Sequence, residues 1–558
     1  MTETLSIYIT QLNPTVGAVK ENCENIAAAY ARGMAAGADI VLTPELSTAG
    51  YPLEDLVLKP YFVRTVKQAL EGLADLTAGE GAPGLIVGAP WRDGDHLRNA
   101  VILLDGGEIA EIRFKHNLPN YGVFDEIRVF EAGGPPKPME FRGVKLGVMV
   151  CEDMWFPDCT ASLATSGAEI LLVPTCSPYD ESKHPERQRF SFARVEESGL
   201  PLVFCNQVCG QDELVFEGAS YVVSDSYDLP VQMDSFREHE LLTHWSRTAD
   251  GKFKCDTNFV GYTPDRQEAM YQAMMLGLGD YVRKNRFPGV ILGLSGGIDS
   301  ALSAAVAVDA LGADKVQCIM MPSRYTSGES LGDAEACANA LGVQYDVIAI
   351  KPGVDAFDEM LAGVFADTEP DTTEENIQSR LRGLALMSIS NKFGKMVLTT
   401  GNKSEVSVGY ATLYGDMCGG YNALKDVYKT DVFALSRWRN ENVPEGALGP
   451  SGEVIPENII VKPPTAELRE DQKDEDSLPP YDELDDMLRC LVDDEMSVAE
   501  TAARGHDASV VARIEHLLYI AEYKRRQAPP GVKITRKNFG RDRRYPITNG
   551  FRSARKDN

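Results

Sequence analysis

This sequence predicts an α/β fold in each of its two halves, and three observations carry that. First, the stretch VILGLSGGIDSALSAAVAV, 290–308, reads as a buried strand (290–294), a loop of small residues (295–300) and an alanine-rich helix. Second, the chain beyond it alternates strands (316–321, 345–350, 396–400) with helices (333–341, 374–393), the rhythm of a parallel, doubly wound sheet. Third, the first 205 residues alternate β-rich runs with helical stretches such as 22–37 and 56–73, as in a layered α/β domain. Those runs are LSIYITQL, ADIVLTPEL, GLIVGAP, AVILLD, KLGVMVCED, EILLVPT and LVFCNQV.

At 558 residues the chain exceeds what one core holds. We divide it into a first domain, 1–245, a polar linker, 246–267 (SRTADGKFKCDTNFVGYTPDRQ), and a second domain, 268–558. A net charge of −28 argues against nucleic-acid and anionic-membrane binding. No apolar run approaches the ~20 residues of a membrane span, and MTETLSIYITQL lacks the layout of a signal peptide. Eleven cysteines, an odd number without regular spacing or CxxC, support neither a disulfide framework nor structural zinc, so a cytoplasmic, reduced protein is expected.

The loop 293–300 carries the first chemistry. Adjacent Gly296 and Gly297 let the backbone turn tightly and aim N–H groups at a ligand, and the following helix adds its positive end. GxxxxGK[ST] occurs nowhere in the chain, and this loop is not a GxGxxG. The loop has no lysine for a terminal phosphate; it has Asp299, which suits Mg²⁺. The bland alternative is a strand-to-helix turn with no ligand. Two more segments, MPSRYTSGES and TTGNKSE, fall at strand carboxyl ends, where ligands of such sheets bind.

In the first half, Glu45 follows IVLTP, Lys115 lies in EIRFKHNLPNYGVFDE, and Cys151 closes KLGVMV at a strand-to-helix elbow. A thiol there is exposed beside N–H groups able to hold an oxyanion. A nearby ammonium would favour the thiolate over the free pKa of ~8.5, and a carboxylate would accept and return the proton. Taken singly, the cysteine reads as core and the lysine and glutamate as surface. A cysteine–histidine hydrolase is the competing chemistry, but His116, next to Lys115, would face away from it in an extended segment.

SGGIDS after a strand resembles the pyrophosphatase loop of enzymes that split ATP into AMP and pyrophosphate. The resemblance implies ATP contacts along Gly293, Leu294, Ser295, Gly296, Gly297, Ile298, Asp299 and Ser300. PEL, K-x-x-L-P-x-Y-x-x-F-x-E and CEDMW together resemble the nitrilase superfamily. That implies an αββα sandwich with Glu45 as base, Lys115 as oxyanion stabiliser and Cys151 as nucleophile. Its glutaminase members imply glutamine contacts at Tyr121, Ser177 and Lys183, the last in a loop that admits a register one residue either way. TEENIQSRLRGLAL and TTGNKSEVSVGYATLYGD resemble NAD synthetases, whose domain is a Rossmann-like parallel sheet with a helical C-terminal extension. This implies ATP contact at Thr400 and deamido-NAD contacts at Asn376, Glu405 and Lys524. Asp299 and Glu405 could share a Mg²⁺; without the resemblance Glu405 reads as a helix-start carboxylate.

The segment 441–480, rich in proline and acid, is a long loop excursion, disordered or a lid, and the resemblance continuing through it favours an ordered one. Helices follow at 482–492, 497–504 and 509–526. The stretch 524–558 holds twelve basic residues against two acidic and reads as a solvated tail on acidic neighbours. The two resemblances together point to the glutamine-dependent NAD synthetase family. They imply a homo-oligomer that takes glutamine, ATP and deamido-NAD and channels ammonia between its sites. An amidase half with a regulatory nucleotide-binding domain, a ligase acting on another carboxylic acid, and a non-catalytic nucleotide sensor are the alternatives.

Overall fold

The computed structural model describes residues 3–470 and 472–551 of the chain and divides into two compact units, Met1–Pro264 and Asp265–Asn558. No helix among the described residues is long and apolar enough to cross a membrane.

The first unit is the αββα sandwich. One seven-stranded sheet runs Phe253–Cys255, His239–Arg247, Thr4–Gln11, Ile40–Leu42, Gly84–Asp93, His96–Asp105, Glu108–Phe114. The other runs Phe259–Val260, Val231–Gln232, Tyr221–Val223, Leu202–Asn206, Ile170–Thr175, Val144–Val148, Met139–Phe141. Strand alternation builds the layers. From Thr4–Gln11, Leu5, Ile7 and Ile9 enter a core shared with Phe141, Leu146, Ile170 and Val203 of the second sheet. Tyr8 between them joins the opposite face, against Ile26, Val63 and Leu70 of the helices Val19–Ala35 and Pro60–Asp75. The helices Pro157–Thr165 and Lys183–Ser198 cover the outer face of the second sheet through Leu163 and Val195.

The 246–267 linker expectation needs correcting. Trp245 pairs with Cys255 and Val231 with Phe259, so these residues supply edge strands of the first unit. Strands of two or three residues carry too little apolar pattern to announce themselves; pairing with distant strands is what defines them.

The second unit holds a five-stranded, all-parallel sheet in the order Gln344–Val347, Val316–Met320, Val290–Gly293, Met396–Thr399, Tyr421–Asn422. The chain builds outward on one side of Val290–Gly293, then returns to pair Met396–Thr399 on its other side, which makes the carboxyl end of Val290–Gly293 the switch point of the sheet. The alanine-rich helix Ile298–Leu311 is buried nearly all round. The helices Lys351–Leu361 and Thr372–Phe393 pack through Val354 and Leu386 on Ile291, Ile319 and Val397. A separate core (Val408, Leu488, Val511, Ile514, Leu518) gathers the C-terminal helices Tyr481–Leu488, Val498–Ala503 and Ala508–Ile520 around Lys403–Val408.

The excursion 441–480 contains the helix Glu457–Val461 and is tied to the sheet domain. Asn458 and Lys462 donate to Asp333 (2.9 and 2.8 Å), and Ser327 and Ser330 hydroxyls donate to Glu467 (2.9 and 2.8 Å). The basic segment after 524 does lie on acidic neighbours, Lys537 on Glu495 (2.7 Å) and Arg543 on Glu522 (3.4 Å), but much of it is buried rather than solvated. Lys533 and Thr535 are buried, and Asp426 accepts from the Ile534 and Thr535 N–H groups (2.8 and 2.7 Å). The last residues of that segment, 552–558, lie outside the described residues.

Candidate active sites

In the first unit Glu45, Lys115 and Cys151 come together at strand ends. Glu45 follows Ile40–Leu42, and Gly88 on the neighbouring strand makes room for it: a Cβ there would meet the Leu46 nitrogen at 2.2 Å. Lys115 follows Glu108–Phe114 and is fully buried. Its ammonium donates to Glu45 Oε1 (2.8 Å) and to Glu126 Oε1 (2.7 Å). Asn99 also donates to Glu45 Oε1 (2.8 Å) and the Cys176 N–H to Oε2 (2.9 Å), so both oxygens are aimed. Cys151 stands at φ +48°, the left-handed region a side chain rarely adopts, at the start of the 3₁₀ turn Cys151–Trp155. Thr175, ending Ile170–Thr175, acts on the thiol electrostatically, its buried hydroxyl making no hydrogen bond of its own.

The electrostatics correct one expectation. Burial pushes the Cys151 thiol well above its ordinary range and the Glu45 charge adds to this; Lys115 and Thr175 pull the other way and do not prevail. Burial would also strip Lys115 of its proton, but Glu126 and Glu45 outweigh it and hold the ammonium well above its usual range. The resting site is therefore a neutral thiol beside an ammonium held between two carboxyl groups, of which Glu126 is raised to about 7 by burial.

Around it, the Tyr121 hydroxyl donates to Glu152 (3.0 Å), which follows Cys151. Lys183 lies over the Trp155 ring, 4.1 Å from its centroid, and its charge acts on Glu152. Ser177 is held by Asn206, which accepts from its N–H (3.0 Å), and by Arg187, which donates to its hydroxyl (2.8 Å). His116 turns away: its Nδ1 pairs with the Gly133 carbonyl (2.7 Å), which removes it from the histidine alternative.

In the second unit the loop after Val290–Gly293 is the tight one expected. Gly296 has φ +78°, and a Cβ there would meet the Ser330 carbonyl at 2.4 Å, so only glycine fits. Ser300 donates to the Gly297 carbonyl (2.9 Å), and the Gly297 N–H donates to Ser295 Oγ (3.2 Å). Asp299 accepts from Asn402 (2.8 Å) and from the buried Lys429 ammonium, which also lies 3.7 Å from Glu405. Asn402 caps the helix Lys403–Val408 and reaches the Glu405 N–H, so the two loops at the switch point are joined through one side chain. Thr400 stands half-buried at the end of Met396–Thr399. Asn376 accepts from the Thr412 hydroxyl (2.8 Å), and Lys524 donates to the Gly409 and Ala411 carbonyls (2.8 and 2.7 Å), so both grip the loop leaving the Glu405 helix.

Burial, and then the charge of Asp299, raise Glu405 above the usual carboxylate range; Asp474, itself bonded by Tyr481 (2.8 Å), adds to the same field. The cluster thus gathers one ammonium and three carboxyl groups, while among the described residues no group of three or more His, Cys, Asp or Glu is arranged to hold a metal ion by itself.

The comparisons follow this division. Residues 7–244 match the family model for carbon-nitrogen hydrolase and residues 270–528 that for NAD synthase. Glutamine-dependent NAD(+) synthetase of Rhodobacter capsulatus is 50% identical over 552 residues, 99% of this chain and 100% of the relative. That of Xanthomonas campestris pv. campestris is 46% identical over 98% of each. This chain belongs to the glutamine-dependent NAD(+) synthetase family. The Acinetobacter baumannii member, solved in complex with adenosine diphosphate, aligns at TM-score 0.78 and 38% identity, covering 99% of this chain and 100% of that one.

For a member of this family, the residues that sequence reasoning passed over are instructive. Glu126 is the final letter of the K-x-x-L-P-x-Y-x-x-F-x-E pattern, and Glu152 and Asp153 stand inside CEDMW, so a signal existed for all three. Asn402 was visible in TTGNKSE. Lys429 had no local signal, since its partners are more than 20 residues away.

Proposed function

We propose that this chain makes NAD from deamido-NAD, ATP, glutamine and water, releasing AMP, pyrophosphate and glutamate. The single observation carrying the proposal is that one chain holds both an aimed Glu45–Lys115–Cys151 set and the Asp299–Lys429–Glu405 cluster at a sheet switch point.

In the first site the Cys151 thiol attacks the glutamine carboxamide carbon while Glu45 takes the thiol proton. The developing oxyanion faces the Lys115 ammonium, which cannot itself act as the base because two carboxylates keep it protonated. Glu45 returns the proton to the departing nitrogen, ammonia leaves and a thioester remains. Water, activated by Glu45, then hydrolyses the thioester to glutamate and frees the thiol. Lys183 suits the glutamine α-carboxylate and Glu152, presented by Tyr121, its α-ammonium, with Ser177 beside them.

In the second site a carboxylate oxygen of deamido-NAD attacks the α-phosphorus of ATP and pyrophosphate leaves. Ammonia then adds to the acyl carbon and AMP departs. The Ser295–Ser300 loop cradles phosphate, Lys429 neutralises charge beside it, and Thr400, Asn376 and Lys524 border the dinucleotide. Mg²⁺, held by Asp299 and Glu405, would offset phosphate charge during adenylation. Eleven free thiols and a need for ATP suit the cytoplasm, and we keep the expectation of a homo-oligomer.

The test is a division of labour. Cys151→Ala abolishes synthesis with glutamine and leaves synthesis with added ammonium; Asp299→Ala abolishes both. Equal loss of both nitrogen sources in Cys151→Ala refutes the reading, and so does AMP release from Asp299→Ala at the parent rate.

A further inference from the structure

Asp153 lies two residues after the nucleophile and is fully buried, where an ionised carboxylate is costly. Its carboxylate is nevertheless the acceptor for three backbone N–H groups from two segments. Oδ1 accepts from His116 (3.0 Å) and Asn117 (2.7 Å); Oδ2 accepts from Val150 (3.0 Å). The first two N–H groups directly follow Lys115; the third directly precedes Cys151. The Asp153 N–H in turn donates to the Val150 carbonyl (3.0 Å), closing the elbow in which Cys151 stands at φ +48°.

Elsewhere these two backbones are fixed to separate strands. Lys115 donates its N–H to Asn99 (2.9 Å) and accepts from the Gly133 N–H (2.7 Å), while Met149, before the elbow, donates to Leu172 of the second sheet (3.0 Å). Asn99 and Leu172 belong to different sheets of the sandwich. The distance between ammonium and sulfur is therefore set across the gap between layers, where side chains slide more easily than paired strands do. A carboxylate with N–H donors from both layers removes that freedom. Three N–H bonds to an ionised oxygen pair are also stronger than neutral ones, and they persist although burial pushes this carboxyl up to about 6.

We infer that Asp153 is a positioning residue for amide cleavage: its carboxylate fixes the backbone of Lys115 against that of Cys151, so that the oxyanion-facing ammonium and the nucleophile meet substrate in register. This rests on the roles proposed above for Lys115 and Cys151. It differs from a purely structural anchor in what it controls, which is kcat for glutamine hydrolysis and not the folding of the unit.

The experiment compares the full-length parent protein with Asp153→Asn, Asp153→Glu and Cys151→Ala. Asn keeps the shape but sets an NH₂ group against an N–H donor; Glu keeps the charge and displaces it by one methylene. The readouts are kcat and KM for glutamine hydrolysis, the iodoacetamide alkylation rate of Cys151 at fixed pH, synthesis with added ammonium, and thermal unfolding. For both Asp153 variants we expect kcat to fall about 100-fold, the cost of a misplacement near 1 Å. KM should change less than threefold, Cys151 alkylation should be altered, ammonium-dependent synthesis should stay at the parent value, and any fall in the unfolding midpoint should be too small to account for the lost turnover at the assay temperature. Variants that fold and turn over glutamine within threefold of the parent overturn the inference. So does loss of turnover that only tracks a lowered unfolding midpoint in both. Glutamine turnover surviving in Cys151→Ala would instead overturn the underlying assignment of the nucleophile.

Discussion

At Cys151, burial and the Glu45 charge act together against Lys115, and the direction of that balance has a measurable sign. A thiol raised above its ordinary range is neutral throughout neutral pH, so each pH unit increases the thiolate about tenfold without saturation. The alkylation rate of Cys151 in substrate-free protein should therefore climb steadily from pH 6 to 9; a plateau below pH 7 would mean that Lys115 had won. The sequence offered the opposite direction because it places an ammonium near a thiol but cannot say how much water either one sees. The same blindness hid Asn99 as a Glu45 donor, since a strand residue 54 positions away is adjacent only after folding. Glu45, Lys115 and Cys151 were readable because each stands at the end of a recognisable β-run, and strand ends are where a layered fold collects its polar side chains.

Among elements, the interior of the second unit shows what a helix pairing depends on. Asp309 of Ile298–Leu311 accepts from Nε and Nη2 of Arg439 in Lys429–Glu441 (2.6 and 3.0 Å) and from Tyr271 of Arg266–Lys284 (2.6 Å), all buried. Removing one partner leaves an uncompensated buried charge. Arg439→Met should thus lower stability by about 3–5 kcal/mol, read by denaturant unfolding, while Arg439→Met with Asp309→Leu should recover most of it. No more loss in the single variant than in the double would contradict this account. The helix Ile298–Leu311 itself was plain in the sequence, its alanines and glycine-rich entry being local properties. The helix Lys351–Leu361 was not anticipated: little of it is buried beyond Val354, so its apolar signal is thin. The edge strands after 246 escaped for the reason that they exist, which is pairing with distant partners. The basic stretch after 524 was misjudged because charge counts do not distinguish a solvated lysine from Lys533, whose ammonium is enclosed by the Thr535 and Arg536 carbonyls (2.7 and 2.9 Å) and Asp542 (2.8 Å).

For the whole molecule, two units that differ in sheet topology and in chemistry acquire a single purpose only through a shared nitrogen atom. With glutamine labelled at its amide nitrogen and unlabelled ammonium also present, NAD formed by this protein should carry the label; product without it would leave two independent enzymes on one chain. The second unit also has a feature with a temporal meaning. Lys403, two residues before Glu405, is completely enclosed, and its ammonium is satisfied by Asp426 (3.0 Å), Thr535 and the Lys537 carbonyl (2.9 Å). Asp493 (3.2 Å) is a fourth partner, and two of the four, Thr535 and Lys537, follow Lys403 by more than 130 residues. Its two carboxylate counterparts are therefore made before residues 535–537, and the enclosure around the start of the Glu405 helix closes only when that later segment packs onto it. The amide-cleaving unit, complete some 270 residues sooner, is free to mature while its consumer is still being made.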